Sequence, residues 1–181
     1  MKRSAAIALA LLALAFGIWK WAHRAKGPDK AASEAQPLFT GKEPKLKVRL
    51  NFPASARSGF SAEFPEIYLT ASKGAQVKQV LQLLFSGPKS PGSAAAFPAD
   101  FKYREVFTTE KGLAVVDLDP DSVLHHPGGT SSEFVSLYCL TRAILDNFKD
   151  ITRVQVLVGG QIRESLAGHM DISEPLSLES F

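Results

Sequence analysis

At 181 residues the chain has room for one domain of ordinary size plus an appendage, and its 45% hydrophobic content is enough to pack a core. The formal charge of +3 excludes little until it is located: residues 1–44 carry seven Lys/Arg against three acids, while residues 45–181 carry fourteen against fifteen. The larger part therefore has no clustered phosphate-binding field, and no nucleic-acid partner is expected. The single cysteine, Cys139, excludes an intramolecular disulfide, a thiolate-rich zinc site and a lipidated cysteine behind the leader.

Lys2 and Arg3 precede an apolar run from Ala5 to Trp19, and Lys20, Trp21, His23, Arg24 and Lys26 follow it. A cleavable leader needs small residues before the cut, whereas Trp19, Lys20, Trp21 and His23 crowd that place, so residues 1–26 read as a retained signal anchor. The span from Ser4 to Ala22 is about nineteen residues, enough to cross roughly 30 Å of hydrocarbon if Lys20 snorkels. Trp19 and Trp21 suit an interface. Cations flank both ends, so charge alone leaves the orientation undecided. Residues 27–44 are rich in Ala, Pro, Lys, Glu and Gln, bury little and read as a tether.

The folded part begins with Lys45 to Phe52, whose alternation predicts one strand with Leu46, Val48, Leu50 and Phe52 on one face. A Ser/Ala/Gly loop follows Pro53, and Glu66 to Ala71 predicts a second strand carrying Ile67 and Leu69. Val77, Val80, Leu81 and Leu84 recur at helical spacing within 75–85, and Gly87-Pro88 stops that helix. Phe101 to Thr109 and Leu113 to Leu118 flank Glu110-Lys111-Gly112 as a hairpin. Apolar residues on both faces of 113–118 mark a central strand. Thr130, Ser131 or Ser132 can cap a second helix bearing Phe134, Leu137, Tyr138, Thr141, Ile144, Leu145 and Phe148, and Cys139 within it reads as a small buried apolar residue. A last hairpin spans Arg153 to Glu164 around Gly159-Gly160.

The order is strand, strand, helix, two strands, helix, two strands. It predicts an α+β fold: a two-layer sandwich of a mixed β-sheet with two helices packed on it, preceded by an N-terminal transmembrane helix.

The candidate chemistry is sparse. Asp117, Asp119 and Asp121 are spaced like the start of a calcium loop, but Ser122 stands where that loop needs glycine and Gly128 where it needs glutamate. His125 and His126 read as exposed loop histidines. Pro127-Gly128-Gly129-Thr130 and Gly159-Gly160 lack the lysine of a phosphate loop. His169 with Asp171 offers a base and an orienter, with Ser173 near in sequence and unactivated. The structural alternative has this pair tying the terminal turn to the backbone. No catalytic, cofactor-binding or metal-binding residue is assigned.

Val154-Gln155-Val156-Leu157-Val158 before Gly159-Gly160, the close Gly168-His169-Met170-Asp171, and the upstream Gly87-Pro88-Lys89-Ser90-Pro91-Gly92 and Pro127-Gly128-Gly129-Thr130 together resemble the GerMN domain of sporulation and spore-germination membrane proteins. The resemblance covers most of residues 45–176 and leaves 177–181 as a C-terminal tail. It implies a single-pass protein of the bacterial inner membrane, its domain on the periplasmic side. It further implies that the domain binds other envelope or sporulation proteins and is no enzyme, with homo-oligomerisation left open. The rival reading is an envelope hydrolase or ligand-binding protein using His169 and Asp171.

Overall fold

The computed structural model describes residues 44–56 and 58–181, so the expected anchor at 1–26 and nearly all of the tether at 27–44 lie outside the described residues. Among the described residues no helix is long and apolar enough to cross a membrane.

The first expected strand is two, β1 (Lys45–Lys47) and β2 (Leu50–Pro53), and the expected loop behind it contains a further strand, β3 (Phe60–Glu63), ahead of β4 (Glu66–Tyr68). β1 pairs with β4 and β2 with β3, both antiparallel, and Lys47 opposite Glu66 continues the register of Leu50 opposite Glu63. The four strands are thus one hairpin with a break. The break lies at Val48, whose N–H donates to the Pro65 carbonyl at 2.9 Å. Proline has no N–H to return, so one rung of the ladder is missing. Val48, Leu50 and Phe52 are buried on the expected face, while Leu46 is exposed.

Each outer edge of this hairpin is held by a side-chain amide, one from the turn just past a helix and one from within a helix. Asn147 accepts from the Arg49 N–H at 2.7 Å and donates to the Arg49 carbonyl at 2.8 Å. Gln79 does the same for Tyr68, at 2.8 and 3.0 Å. An amide side chain carries the donor and acceptor of a peptide unit, so each replaces one step of a neighbouring strand.

Helix α1 (Lys73–Phe85) starts two residues before its apolar stripe suggests, because Ser72 caps it by accepting from the Ala75 N–H. Val77, Val80, Leu81 and Leu84 are buried. β5 (Tyr103–Thr108), β6 (Leu113–Leu118) and β7 (Arg153–Val158) form a mixed sheet in that order, β5 and β6 antiparallel, β6 and β7 parallel. β6 is central, as its two apolar faces predict. Parallel neighbours need a long crossover, and it is made by a short helix α2 (Pro120–Leu124) and by α3 (Thr130–Leu145). α1 packs on α3, β4 and β5, and α3 packs on β2 and β7. One hydrophobic core joins hairpin, helices and sheet. The architecture is the expected α+β sandwich, with its hairpin and three-stranded sheet as separate ladders.

One expectation fails at the C-terminal end. Gly159 and Gly160 do turn with positive φ, but the returning segment makes a single bridge, Val158 to Gln161, and no strand. The outer edge of β7 is taken instead by Leu176, which exchanges two 2.8 Å backbone bonds with Val154. The last residues form a single turn, Leu178–Ser180. Phe181 then packs edge-on against Phe134 and Tyr138 of α3.

Candidate functional site

Helix α3 opens after Gly128 and Gly129, both at positive φ, and its N-cap Gly129 offers no side chain, so none of Thr130, Ser131 or Ser132 serves as the expected cap. The important residue of the first turn is Glu133. It lies one turn ahead of Leu137, within the buried stripe, and is 0% exposed. One oxygen, Oε2, accepts from the backbone N–H groups of Ala167, His169 and Met170 at 3.1, 3.2 and 3.1 Å, and the other, Oε1, lies 2.8 Å from His169 Nδ1. Burial pushes the Glu133 carboxyl upward, but these hydrogen bonds outweigh it and hold the group below the usual carboxylate range.

This arrangement corrects the His169–Asp171 pairing. Asp171 faces Ser173, accepting from its N–H at 2.8 Å and its hydroxyl at 2.6 Å. The imidazole and the carboxylate of the closing motif therefore do secure the terminal turn, each through a different partner, and no base–orienter dyad forms. Sequence reasoning missed Glu133. The available signal was an acid in register with Leu137 and Leu140 on a helix otherwise apolar along that face.

His126 is a second correction. It is buried, its Nδ1 accepting from the Gly128 N–H at 3.1 Å and its Nε2 lying 2.9 Å from the Ser136 hydroxyl, which donates to the Ala96 carbonyl. These partners fix the neutral tautomer with the proton on Nε2. Burial lowers the His126 pKa, against a smaller opposing pull from Glu133. His125 is exposed as expected, with Nδ1 2.7 Å from the Asp121 carbonyl. Burial pushes the Cys139 thiol up to about 12, in keeping with a buried apolar residue.

The three aspartates do not converge. Asp117 is buried in β6 and accepts from the Gly160 N–H at 2.7 Å, with Arg104 3.7 Å away. Asp119 caps α2 through the Ser122 N–H and hydroxyl, which lower its pKa. Asp121 is exposed to solvent. Among the described residues no cluster of His, Cys, Asp and Glu could hold a metal ion.

What remains is a groove along α1 and the segment leading into β5. A hollow of about 470 Å³ lies between Gln82, Phe85 and Ser86 on one side and Asp100 to Tyr103 on the other. Its floor is a cluster of rings, with Phe85 centred 5.2 Å from Phe101 and 6.3 Å from Tyr103. A hollow of about 380 Å³ adjoins it across Asp100–Lys102, reaching Asp119, Asp121 and His125. A third, of about 190 Å³, continues past Gln82 and Ser86 to Glu66–Tyr68. Asp100 is the one non-glycine residue at positive φ among those described, at +61°. Nothing in the hydrophobic pattern pointed to this groove, because its walls come from three separate segments.

The sequence matches the Germane family, described as sporulation and spore germination, over residues 49–164. Among solved structures, the first GerMN domain of the sporulation protein GerM from Bacillus subtilis superposes with a TM-score of 0.58 at 22% identity, covering 74% of this chain and 98% of that one. The tandem GerMN domains of the same protein give 0.59 at 21% identity, covering 74% of this chain and 46% of that one. A crystal structure from Clostridium perfringens gives 0.54 at 22% identity, covering 76% and 89%. At these identities the likeness is one of fold. No curated protein matches the chain.

Proposed function

The chain belongs to the Germane family of sporulation and spore-germination proteins, and on that premise we propose that it is a membrane-anchored GerMN module held outside the cytoplasm, working through protein contacts in sporulation, germination or envelope assembly. The GerMN module is a non-catalytic interaction domain. The observation that carries the reading is the fate of its one enzyme-like pair: Glu133 takes His169, Ser173 takes Asp171, and both groups are committed to holding the chain's own closing turn. A hydrolase would need them convergent and open to substrate.

Residues 1–26 supply the anchor in this proposal, 27–44 the tether and 45–176 the module, on the periplasmic side of a bacterial inner membrane. Fusing alkaline phosphatase or a fluorescent protein behind Phe181 tests the topology. Phosphatase activity is expected; fluorescence confined to the cytoplasm would sink the orientation. Cross-linking in native membranes, followed by sizing and identification of the adducts, separates a second copy from an envelope or sporulation partner.

A further inference from the structure

We propose that the groove beside Asp100 is the docking site for an extended, basic segment of a partner protein. This rests on the interaction reading above and adds the chemistry of the partner.

Shape comes first. Three hollows follow one another, the middle one sharing Asp100–Lys102 with one neighbour and Gln82 and Ser86 with the other. A run of this kind accommodates an extended chain that places successive side chains in successive hollows, the way peptides are read in grooves. The central floor of Phe85, Phe101 and Tyr103 suits one apolar side chain.

Charge then selects the occupant. The carboxylates lining the hollows are Glu66, Asp100, Asp119 and Asp121, and the one lysine is Lys102. Glu66 is matched by Lys45 at 3.4 Å, and Asp119 by Ser122 with the positive charges of Lys102 and Arg104 acting on it. Asp100 and Asp121 are exposed and belong to no ion pair among the described residues. Asp100 lines the wall that two hollows share, beside Lys102, and Asp121 lines the outer hollow alone, so a cationic side chain entering that outer hollow meets both carboxylates. Complementary charge of this kind governs partner selection and encounter rate.

Asp100 holds φ +61°, a left-handed backbone that aspartate tolerates as glycine does, and supplies there a charge that glycine cannot.

The test measures binding of a fluorescein-labelled peptide, one leucine followed by alternating lysine and serine, to the full chain by anisotropy, with the glutamate counterpart as control. The lysine peptide is expected to bind and the glutamate peptide not. The double change Asp100→Asn with Asp121→Asn is expected to weaken binding by roughly tenfold or more. Asparagine tolerates the left-handed backbone at 100, so an unchanged melting temperature checks that the fold survives. Gln82→Trp, which fills the middle hollow from an exposed position, is expected to do the same. Equal binding by wild type and double variant would overturn the proposal. So would equal binding of the glutamate peptide, or binding of a chitin oligosaccharide that ignores both charge changes. To separate this from failure of the interaction reading, a photo-cross-linker is placed at Gln82 or at exposed Phe107 in native membranes. Adducts at Gln82 that vanish in the double variant support the groove. Adducts at Phe107 alone overturn it and leave the interaction reading standing, while adducts at neither overturn both.

Discussion

The closing turn around Gly168 and the groove beside Asp100 are built from the same kinds of side chain and use them in contrary ways. Around Gly168 the polar groups answer one another: Glu133 receives three backbone N–H groups and an imidazole, and Asp171 receives Ser173. Beside Asp100 the carboxylates of Asp100 and Asp121 are exposed and have no ion-pair partner among the described residues. A histidine and an acid close together in sequence suggest chemistry, and here they are structural. The more promising polar groups are those that the fold leaves without an internal role.

The largest way to break this contrast is Glu133→Ala. Removing the carboxylate strands three N–H groups at a buried position, and loss of one partner from such a site costs about 3–5 kcal/mol. Urea unfolding should show that loss, with His169→Ala costing only about 1 kcal/mol because it removes one of four bonds. Asp100→Asn should leave stability within about 0.5 kcal/mol, as surface changes do. If Asp100→Asn destabilised as much as Glu133→Ala, the distinction between the two regions would collapse.

Backbone strain sharpens the same comparison at a smaller scale. Gly168 sits at φ +108° with open space for 4 Å around the place a Cβ would occupy, so Gly168→Ala meets no clash and reads conformational cost alone, about 1–3 kcal/mol. Asp100→Gly relaxes its left-handed backbone but frees the unfolded chain, and the two effects should cancel to within about 1 kcal/mol. Thermal unfolding of the pair checks both. A large gain from Asp100→Gly would mean that the loop carries more strain than its angle implies.

Much of the fold was legible because period and punctuation agree. Val77, Val80, Leu81 and Leu84 form a buried stripe, Gly87-Pro88 ends that helix, and Ala114, Val116 and Leu118 alternate into the core. The misses have physical causes. β3 is short and half-exposed, so Phe60–Glu63 has no alternation to read. The strand expected after Gly160 fails because Gln161 to Glu164 are exposed and Leu176, sixteen residues beyond Gly160, takes the edge of β7. His126 and Glu133 were misjudged for one reason: a buried polar group is recognised by its partners, and those partners, Ser136 and the 167–170 turn, depend on tertiary contacts that local sequence does not show.

The hairpin edges give a third comparison of intermediate size. Asn147, just past α3, and Gln79 of α1 each make two hydrogen bonds to one hairpin residue, on different edges. Asn147→Ala and Gln79→Ala should each cost about 1–2 kcal/mol. The double variant should lose the sum to within about 0.5 kcal/mol, since the two share no partner. Amide exchange should then accelerate at Arg49 in the first variant and at Tyr68 in the second. Coupling well beyond additivity would mean that the two edges are held as one unit.

The smallest expected effect separates the two buried titratable groups behind the closing turn. His126 has its pKa lowered from 6.5 by burial, so as pH falls through that value the unfolded imidazole takes up a proton before the folded one, and stability declines. Its folded partners leave no alternative, because Nδ1 already accepts the Gly128 N–H. Glu133 is lowered from 4.5, so its contribution is complete above that value and disappears only as pH falls further, through the folded pKa. Two limbs are therefore expected in urea midpoints against pH, a shallow one below about pH 6.5 and a steeper one below about pH 4.5, where other carboxylates join. His126→Gln should lower stability throughout yet flatten the upper limb, since it removes the buried titrating group. Survival of the upper limb in that variant would mean that the buried imidazole carries no pH dependence of its own.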